Sequence, residues 1–260
     1  MNSSIHYRHW IAFHTLFSRE VRRFIRIWPQ TLLPPAITMT LYFIIFGNLI
    51  GTRIGEMDGF RYMDYIAPGI IMMSVINNAY ANVASSFFSS KFQNHIEEML
   101  VAPIPNYLIL AGYVAGGTAR GLCVGFIVTL VSLFFTQLSI AHLFITFSMV
   151  ILSAVMFALG GFINGIYARS FDEIAIIPTF ILTPLTYLGG VFYSISLLPD
   201  FWQHVSLANP ILYMVNAFRY GMLGISDIAV TTAFAMILSC IAALTCFALF
   251  LLHRGTGIRN

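Results

Sequence analysis

Charged residues are scarce in this chain of 260 residues: only 9% are Asp, Glu, Lys or Arg, whereas 58% are hydrophobic. The mean hydropathy is correspondingly high, at +0.84. Soluble domains carry roughly 25% charged residues, so this chain has too little charge to cover a water-facing surface. The composition excludes an ordinary soluble enzyme and predicts an integral membrane protein.

Cysteine is rare as well, and the three cysteines all fall within long apolar stretches, which excludes a disulfide framework. The motif GxxxxGK[ST], whose glycine-rich loop cradles nucleotide phosphates, is absent. The formal net charge is only +3, and no concentrated basic face follows the N-terminal segment. We therefore expect no nucleic-acid partner and no ATP site in this chain.

Long apolar stretches are what the sequence has in abundance. A helix of about 20 apolar residues crosses the hydrocarbon, and helical spans need no partner strand to satisfy their backbone. We therefore predict an all-α integral membrane fold with six transmembrane helices. Nine Lys and Arg residues lie in segments on the same side of the membrane as the N-terminus, and three lie in segments on the opposite side. This asymmetry predicts that both termini are cytoplasmic. The predicted spans are 31–50, 63–88, 110–135, 143–167, 175–193 and 229–252.

Residues 1–30 have the pattern of a basic amphipathic helix. Trp10, Phe13 and Phe17 recur at helical spacing, and Val21 and Phe24 continue the same stripe. The arginines of this segment fall on the other face. The pattern predicts a helix that lies on the cytoplasmic leaflet, and a cytosolic helix packed against a partner is the alternative.

Two further segments differ from simple loops. Residues 91–105 carry Glu97 and Glu98 before an apolar turn and reach proline at Pro103, which predicts a short cytoplasmic helix. Residues 194–228 form a long outer segment that stays apolar. There, Asn209 is a good N-cap and Pro210 suits the first helical position, so we predict two short helices that dip into the outer leaflet.

Acidic residues are nearly absent from the predicted spans. Asp64 falls at an outer end, and Asp172 and Glu173 fall in a cytoplasmic turn, so no carboxylate is available at the midplane for ion coupling. Arg120 is the one charge inside a span, and we favour a side chain that snorkels to the inner headgroups over one that lines a pore. The polar stripes of the second and fifth spans suit either helix packing or a substrate path.

The fifth span and the outer segment carry a specific series of short motifs. This ordered set resembles the signature of ABC-2-type exporter permeases, and the upstream Glu97–Pro103 looks like that family's cytoplasmic coupling element. The resemblance covers essentially the whole chain, so we expect a single transmembrane domain over residues 1–260. The motifs are Pro178-Thr179-Phe180, Pro184-Leu185, Leu188–Tyr193, Leu198-Pro199, Trp202, Asn209-Pro210 and Phe218–Tyr220.

The resemblance implies a homodimer in a bacterial inner membrane, in contact with lipid, with each subunit docked to a separate ATPase. ATP and Mg would be held by the two ATPase copies, and this chain would hold no cofactor. Residues 1–30 would be the interface helix, 91–105 the coupling helix and 194–228 the re-entrant helices. The implied roles are ATPase coupling for Glu97, Glu98, Asp172 and Glu173, the translocation path for Asn78, Asn82, Thr183 and Tyr187, and the outer gate for Gly189, Gly190, Pro199, Asn209, Pro210 and Arg219.

Two other functions compete with this interpretation. A proton-coupled secondary transporter would need an intramembrane carboxylate, which the spans do not supply. An intramembrane hydrolase would need a nucleophile and a base brought together by folding, and Ser194 and Ser196 near His204 are the candidates.

Overall fold

A computed structural model describes residues 2–102 and 104–255. Pro103, within the predicted coupling helix, and Arg259, one of the nine cationic residues that predicted the orientation, lie outside the described residues. The described chain is almost entirely helical, which confirms the all-α prediction apart from a small antiparallel hairpin of β1 (Glu56–Met57) and β2 (Phe60–Arg61).

Thirteen α-helices make up the described part of the chain. Two π-helical segments, Phe43–Ile50 and Pro178–Leu182, interrupt the first and fifth predicted spans, and one 3₁₀ turn covers Ile195–Leu197. The helices are α1 (Asn2–Arg26), α2 (Trp28–Thr31), α3 (Leu33–Tyr42), α4 (Gly51–Ile54), α5 (Tyr62–Phe92), α6 (His95–Val101), α7 (Asn106–Ser132), α8 (Leu143–Tyr167), α9 (Phe171–Ile177), α10 (Thr183–Tyr187), α11 (Asp200–Leu207), α12 (Pro210–Leu223) and α13 (Val230–Arg254).

Four helical segments of the described chain are long and apolar enough to cross a membrane: residues 28–54, α7, α8 and α13. The second predicted span falls within α5, which has 31 residues but mixes asparagines and serines with its apolar side chains. The fifth is divided among α9, a π-helical turn and α10, which together cover only residues 171–187. The count of six spans therefore stays a prediction.

Helix α5 is the centre of the fold, since most of its side chains are buried. It packs most extensively against α8 and α7. Gly117 of α7 and Gly165 of α8 face α5 so closely that a methyl group at either position would crowd Val83 or Phe87. The small residues thus let three helices approach one another.

The boundaries of the predicted coupling helix change. Helix α5 continues to Phe92, so Lys91 belongs to it, and the separate helix α6 begins only at His95. Asn94 separates the two helices with a left-handed backbone, φ 59°. Asparagine tolerates this conformation better than most residues, which accounts for a sharp turn at this position.

Helix α1 does not have the orientation that we expected. His9 contacts Tyr107, Leu16 faces Gly112 and Glu20 faces Gly116, so α1 runs alongside the first half of α7 in the same direction. A helix parallel to a candidate span does not lie flat on a leaflet. Leu16, Glu20 and Phe24 of α1 are buried, so of the predicted apolar stripe Phe24 is buried whereas Trp10 remains 62% exposed.

The outer segment contains the two short helices predicted for it, α11 and α12. Asn209 caps α12 by accepting a hydrogen bond from the backbone N–H of Ile211 (3.0 Å), and Pro210 is the first helical residue. The local prediction is confirmed. Its extension, that these helices enter the outer leaflet, stays a prediction.

Candidate functional site

The acidic pair of α6 is presented on a short anchored helix. Ile96 is buried, whereas its neighbours Glu97 and Glu98 are exposed. Just before this helix, the ammonium of Lys91 donates hydrogen bonds to the carbonyl oxygens of Ile166 (2.6 Å) and Ala168 (2.9 Å). The end of α5 is thereby tied to the end of α8 beside the acidic pair.

The second predicted acidic pair opens α9 at the same end of α5. Ser170 caps this helix by accepting from the N–H of Glu173 (3.2 Å), and the Glu173 carboxylate accepts from the N–H of Arg169 (2.8 Å). Glu173 therefore has a structural part in forming the turn, while Asp172 is exposed. The ring of Phe171 packs edge-on against Phe88 of α5, with 4.9 Å between centroids.

The residues predicted for the translocation path belong to two separate groups of contacts. Asn78 and Asn82 are buried on α5 and accept hydrogen bonds from Arg120 of α7, at 3.3 and 3.5 Å. Arg120 thus bonds α5, and its predicted reach to the inner headgroups stays a prediction. Thr183 and Tyr187 are exposed on α10, and the Tyr187 ring stacks on Phe192, in the turn that follows α10.

Five of the six residues predicted for the outer gate converge, and Pro199 is the exception. Arg219 is only 1% exposed, and its guanidinium donates to the carbonyl oxygens of Gly190 (2.6 Å) and Tyr65 (3.3 Å). Asn209 donates to the Leu185 carbonyl (2.5 Å) beside Gly189. Pro210 follows Asn209 at the start of α12, while Pro199 lies exposed ahead of α11.

Gly190 itself has φ +68°, a conformation that glycine adopts without strain. Its carbonyl oxygen therefore points to Arg219 from a tight turn. Arg219 also lies over the Tyr65 ring, with its guanidinium carbon 4.1 Å from the centroid. These contacts hold the turn after α10 against the start of α5 and against α12.

Sequence reasoning missed a polar cluster where α1 meets α5 and α7. Glu20 is 1% exposed and lies between Arg19 (3.3 Å) and Arg23 (3.4 Å). Arg19 donates to the Tyr113 hydroxyl (2.7 Å), and Arg23 donates to the side-chain oxygen of Asn82 (2.7 Å). The available signal was the spacing of Gly112 and Gly116, which matches that of Leu16 and Glu20.

The surroundings of Arg19 stabilise its positive charge. Burial by itself would lower the pKa of this guanidinium, but Tyr113 and Glu20 outweigh that effect, and the pKa lies above its ordinary value. Arg19 therefore stays positively charged at any pH that a cell reaches.

The hydrolase alternative finds little support in the geometry. Ser194 donates its hydroxyl to Asp227 (2.9 Å) and contacts Ser196, whereas the exposed His204 ring bonds the Asp200 carbonyl of its own helix. A nucleophile needs a base within hydrogen-bond reach, and Ser194 has an aspartate there instead of the predicted histidine. Across residues 2–102 and 104–255, no three His, Cys, Asp or Glu side chains are grouped so as to hold a metal ion.

Comparisons with known proteins bear on the family of the chain. A family model described as ABC-2 type transporter matches residues 11–223. The chain is 57% identical over 253 residues to the inner membrane transport permease YadH of Escherichia coli (strain K12), covering 97% of this chain and 98% of that protein. It is 23% identical over 185 residues to nodulation protein J of Rhizobium leguminosarum bv. viciae, covering 71% of each chain.

Proposed function

Since the chain belongs to the ABC-2 type transporter family, we propose that it is the membrane-spanning permease subunit of an ATP-driven exporter. Two copies would form the translocation path, and each would dock a separate ATPase subunit that binds ATP and Mg. The subunit would be a multi-pass protein of a bacterial inner membrane with cytoplasmic termini. It would carry out transport without an ATPase site of its own.

The observation that carries this proposal is the arrangement at the end of α5. The exposed Glu97 and Glu98 lie on a helix of seven residues that is separated from α5 by only two residues. A short, charged, exposed helix suits a cleft on a partner with basic side chains, because complementary charge orients the encounter. Asp172 adds a third exposed carboxylate where α9 begins.

Movement of α6 would be passed on through Lys91. The Lys91 ammonium holds the carbonyl oxygens of Ile166 and Ala168, so α5 and the end of α8 must move together. Each such bond involves a charged donor and contributes about 1.5–3 kcal/mol. ATPase closure against α6 would therefore displace the helices that surround α5 rather than bend a loop.

A second copy would complete the path. Thr183 and Tyr187 are exposed on α10, and each hydroxyl also has a partner within the chain, the Pro178 carbonyl for Thr183 (2.9 Å) and Tyr42 for Tyr187. A path between two copies would be lined by these exposed polar side chains from both subunits. Apolar side chains exposed on residues 28–54 and 171–187, which suit such an interface, include Ile37, Leu41, Leu49, Phe171, Phe180 and Ile181.

The coupling role can be tested by reversing the charge of both Glu97 and Glu98 to Lys. We expect the variant to insert normally but to lose the co-expressed ATPase on affinity purification. The matched control reverses Glu56 and Asp200, two exposed carboxylates at the opposite end of α5 and in the outer segment. ATPase recovery equal to that of the unmodified chain would show the coupling assignment to be wrong.

A second measurement addresses the energy source. The purified chain is reconstituted in vesicles without ATPase or ATP, and a pH gradient is imposed. The proposal predicts no transport under these conditions. Transport driven by the gradient would replace the proposal by a proton-coupled carrier, in which the buried Glu20 would be the first carboxylate to substitute.

A further inference from the structure

A cavity of about 740 Å³ opens between α1, the last turns of α5 and the start of α6. Four arginines of α1 line it: Arg19, Arg22, Arg23 and Arg26. They recur every three or four residues, so α1 turns one continuous basic face toward the cavity.

The cavity has a large excess of positive charge. Glu20 is the one carboxylate in its lining, and its two oxygens are already within 3.4 Å of Arg19 and Arg23. Four guanidinium groups therefore face one carboxylate. The Nε atom of Arg23 is buried without a hydrogen-bond partner among the described residues. Guanidinium groups gathered in such excess are stabilised by an anion that accepts several hydrogen bonds at once.

The polar surroundings continue beyond the arginines. Ser86, Ser89 and Ser90 of α5 also line the cavity and add hydroxyl groups. A phosphate offers several acceptor oxygens, and a guanidinium is the side chain best matched to it because its N–H groups form a planar fork. The volume lies within the range of about 300–1,000 Å³ that is typical of small-molecule sites, so the cavity has room for more than a bare ion.

Apolar side chains lie at the C-terminal end of the same basic face. Ile27 lines the cavity, and its neighbours Ile25 and Trp28 are more than half exposed. An amphiphile with a phosphate headgroup would place its head among the arginines and its acyl chains along these side chains.

We propose that the arginine-lined cavity between α1 and the end of α5 binds a phosphate group, carried by an anionic phospholipid or by free phosphate. The site does not depend on ATP-driven export, because it is formed by the permease chain alone and binding can be measured without the ATPase.

The test uses the full chain in nanodiscs of phosphatidylcholine, with or without phosphatidylglycerol. Lipid that stays bound is counted by native mass spectrometry after transfer to detergent. The informative variant is the double substitution Arg22→Gln and Arg26→Gln, since both side chains are exposed and neither makes the contacts that hold α1 on α7. Its control, Arg8→Gln with Arg53→Gln, removes the same charge from exposed positions outside the cavity.

We expect retained phosphatidylglycerol in the unmodified chain and affinity about thirtyfold lower in the cavity variant, which corresponds to about 2 kcal/mol for two cations. Replacement by Lys at both positions should restore part of the affinity, because charge returns without the fork geometry. The control should bind as the unmodified chain does.

Inorganic phosphate distinguishes the two sources. If it stabilises the unmodified chain against heat and displaces the lipid, the site takes free phosphate. If it does neither while phosphatidylglycerol is retained, the site takes the lipid headgroup. Equal losses in the cavity variant and its control would overturn the proposal, as would retention unchanged by either substitution or binding of neither probe.

Discussion

The contact between α5 and α8 gives a sharp test of the fold, because two adjacent glycines of α8 meet α5 differently. A methyl group added at Gly161 would clash with the carbonyl oxygen of Tyr80 and would lie only 3.1 Å from the Tyr80 carbonyl carbon. At Gly160 the nearest atom would be Cε2 of the Tyr80 ring at 3.6 Å, an ordinary contact. The obstacle at Gly161 is backbone, which cannot rotate away.

Comparing Gly161→Ala with Gly160→Ala isolates the steric cost of the added methyl group. Replacing either glycine by alanine in a helix gains about 1 kcal/mol from helix propensity, and both changes restrict the unfolded chain equally. The difference between Gly161→Ala and Gly160→Ala is therefore the cost of overpacking alone, about 2 kcal/mol. With about 2–4 °C for each kcal/mol, we expect Gly161→Ala to unfold about 4–8 °C below Gly160→Ala.

The assay is thermal unfolding of both purified variants and of the unmodified chain in the same detergent. Gly160→Ala should equal or exceed the unmodified chain, while Gly161→Ala falls below its partner. Equal Tm values for the two variants would refute the close approach of α5 and α8 at this level, whatever their position relative to the unmodified chain.

The outer segment gives two further predictions, both measured by the same unfolding assay. Asn209→Ala removes the cap of α12 and the bond to Leu185, so we expect a loss of about 1–2 kcal/mol of stability. Asn209→Asp should be intermediate because it keeps the acceptor. Full stability of Asn209→Ala would contradict the capping geometry. Arg219→Lys keeps the charge but loses the paired bonds to Gly190 and Tyr65, which we expect to cost about 2 kcal/mol of stability. The control Arg53→Lys, at an exposed position, should be neutral. An equally neutral Arg219→Lys would count against the buried network.

Local patterns predicted much of the fold. The dipeptide Asn209-Pro210 identified the start of α12 to the residue, since an N-cap and a first-turn proline act within a few residues of chain. A short helix was predicted within residues 91–105, and α6 covers only His95–Val101 of that range, because the pattern could not show that α5 continues to Phe92. Long apolar spans were recognised where a helix has an exposed apolar face, and α5 is less apolar because it is buried among protein side chains.

The candidate sites were also predicted only in part. The outer-gate residues were recognised by their resemblance to the ABC-2 family, and five of them converge around Arg219 and Asn209. Their functional roles, like those of Glu97 and Glu98, stay predictions. The cluster around Glu20 was missed because α1 was interpreted as a separate surface helix, and a pattern within one helix does not show which partner it will contact.

The sequence by itself determined that this is a helical membrane protein of limited charge, because hydropathy and charge are sums over residues and need no partner to be counted. It also determined the caps and turns, which depend on a few neighbouring residues. Only the tertiary structure decided where the few charges meet. Arg23 and Arg120 are 97 positions apart in the chain, yet both bond Asn82. Such contacts depend on the register between helices, which is set by close packing at Gly112 and Gly116 rather than by any local pattern.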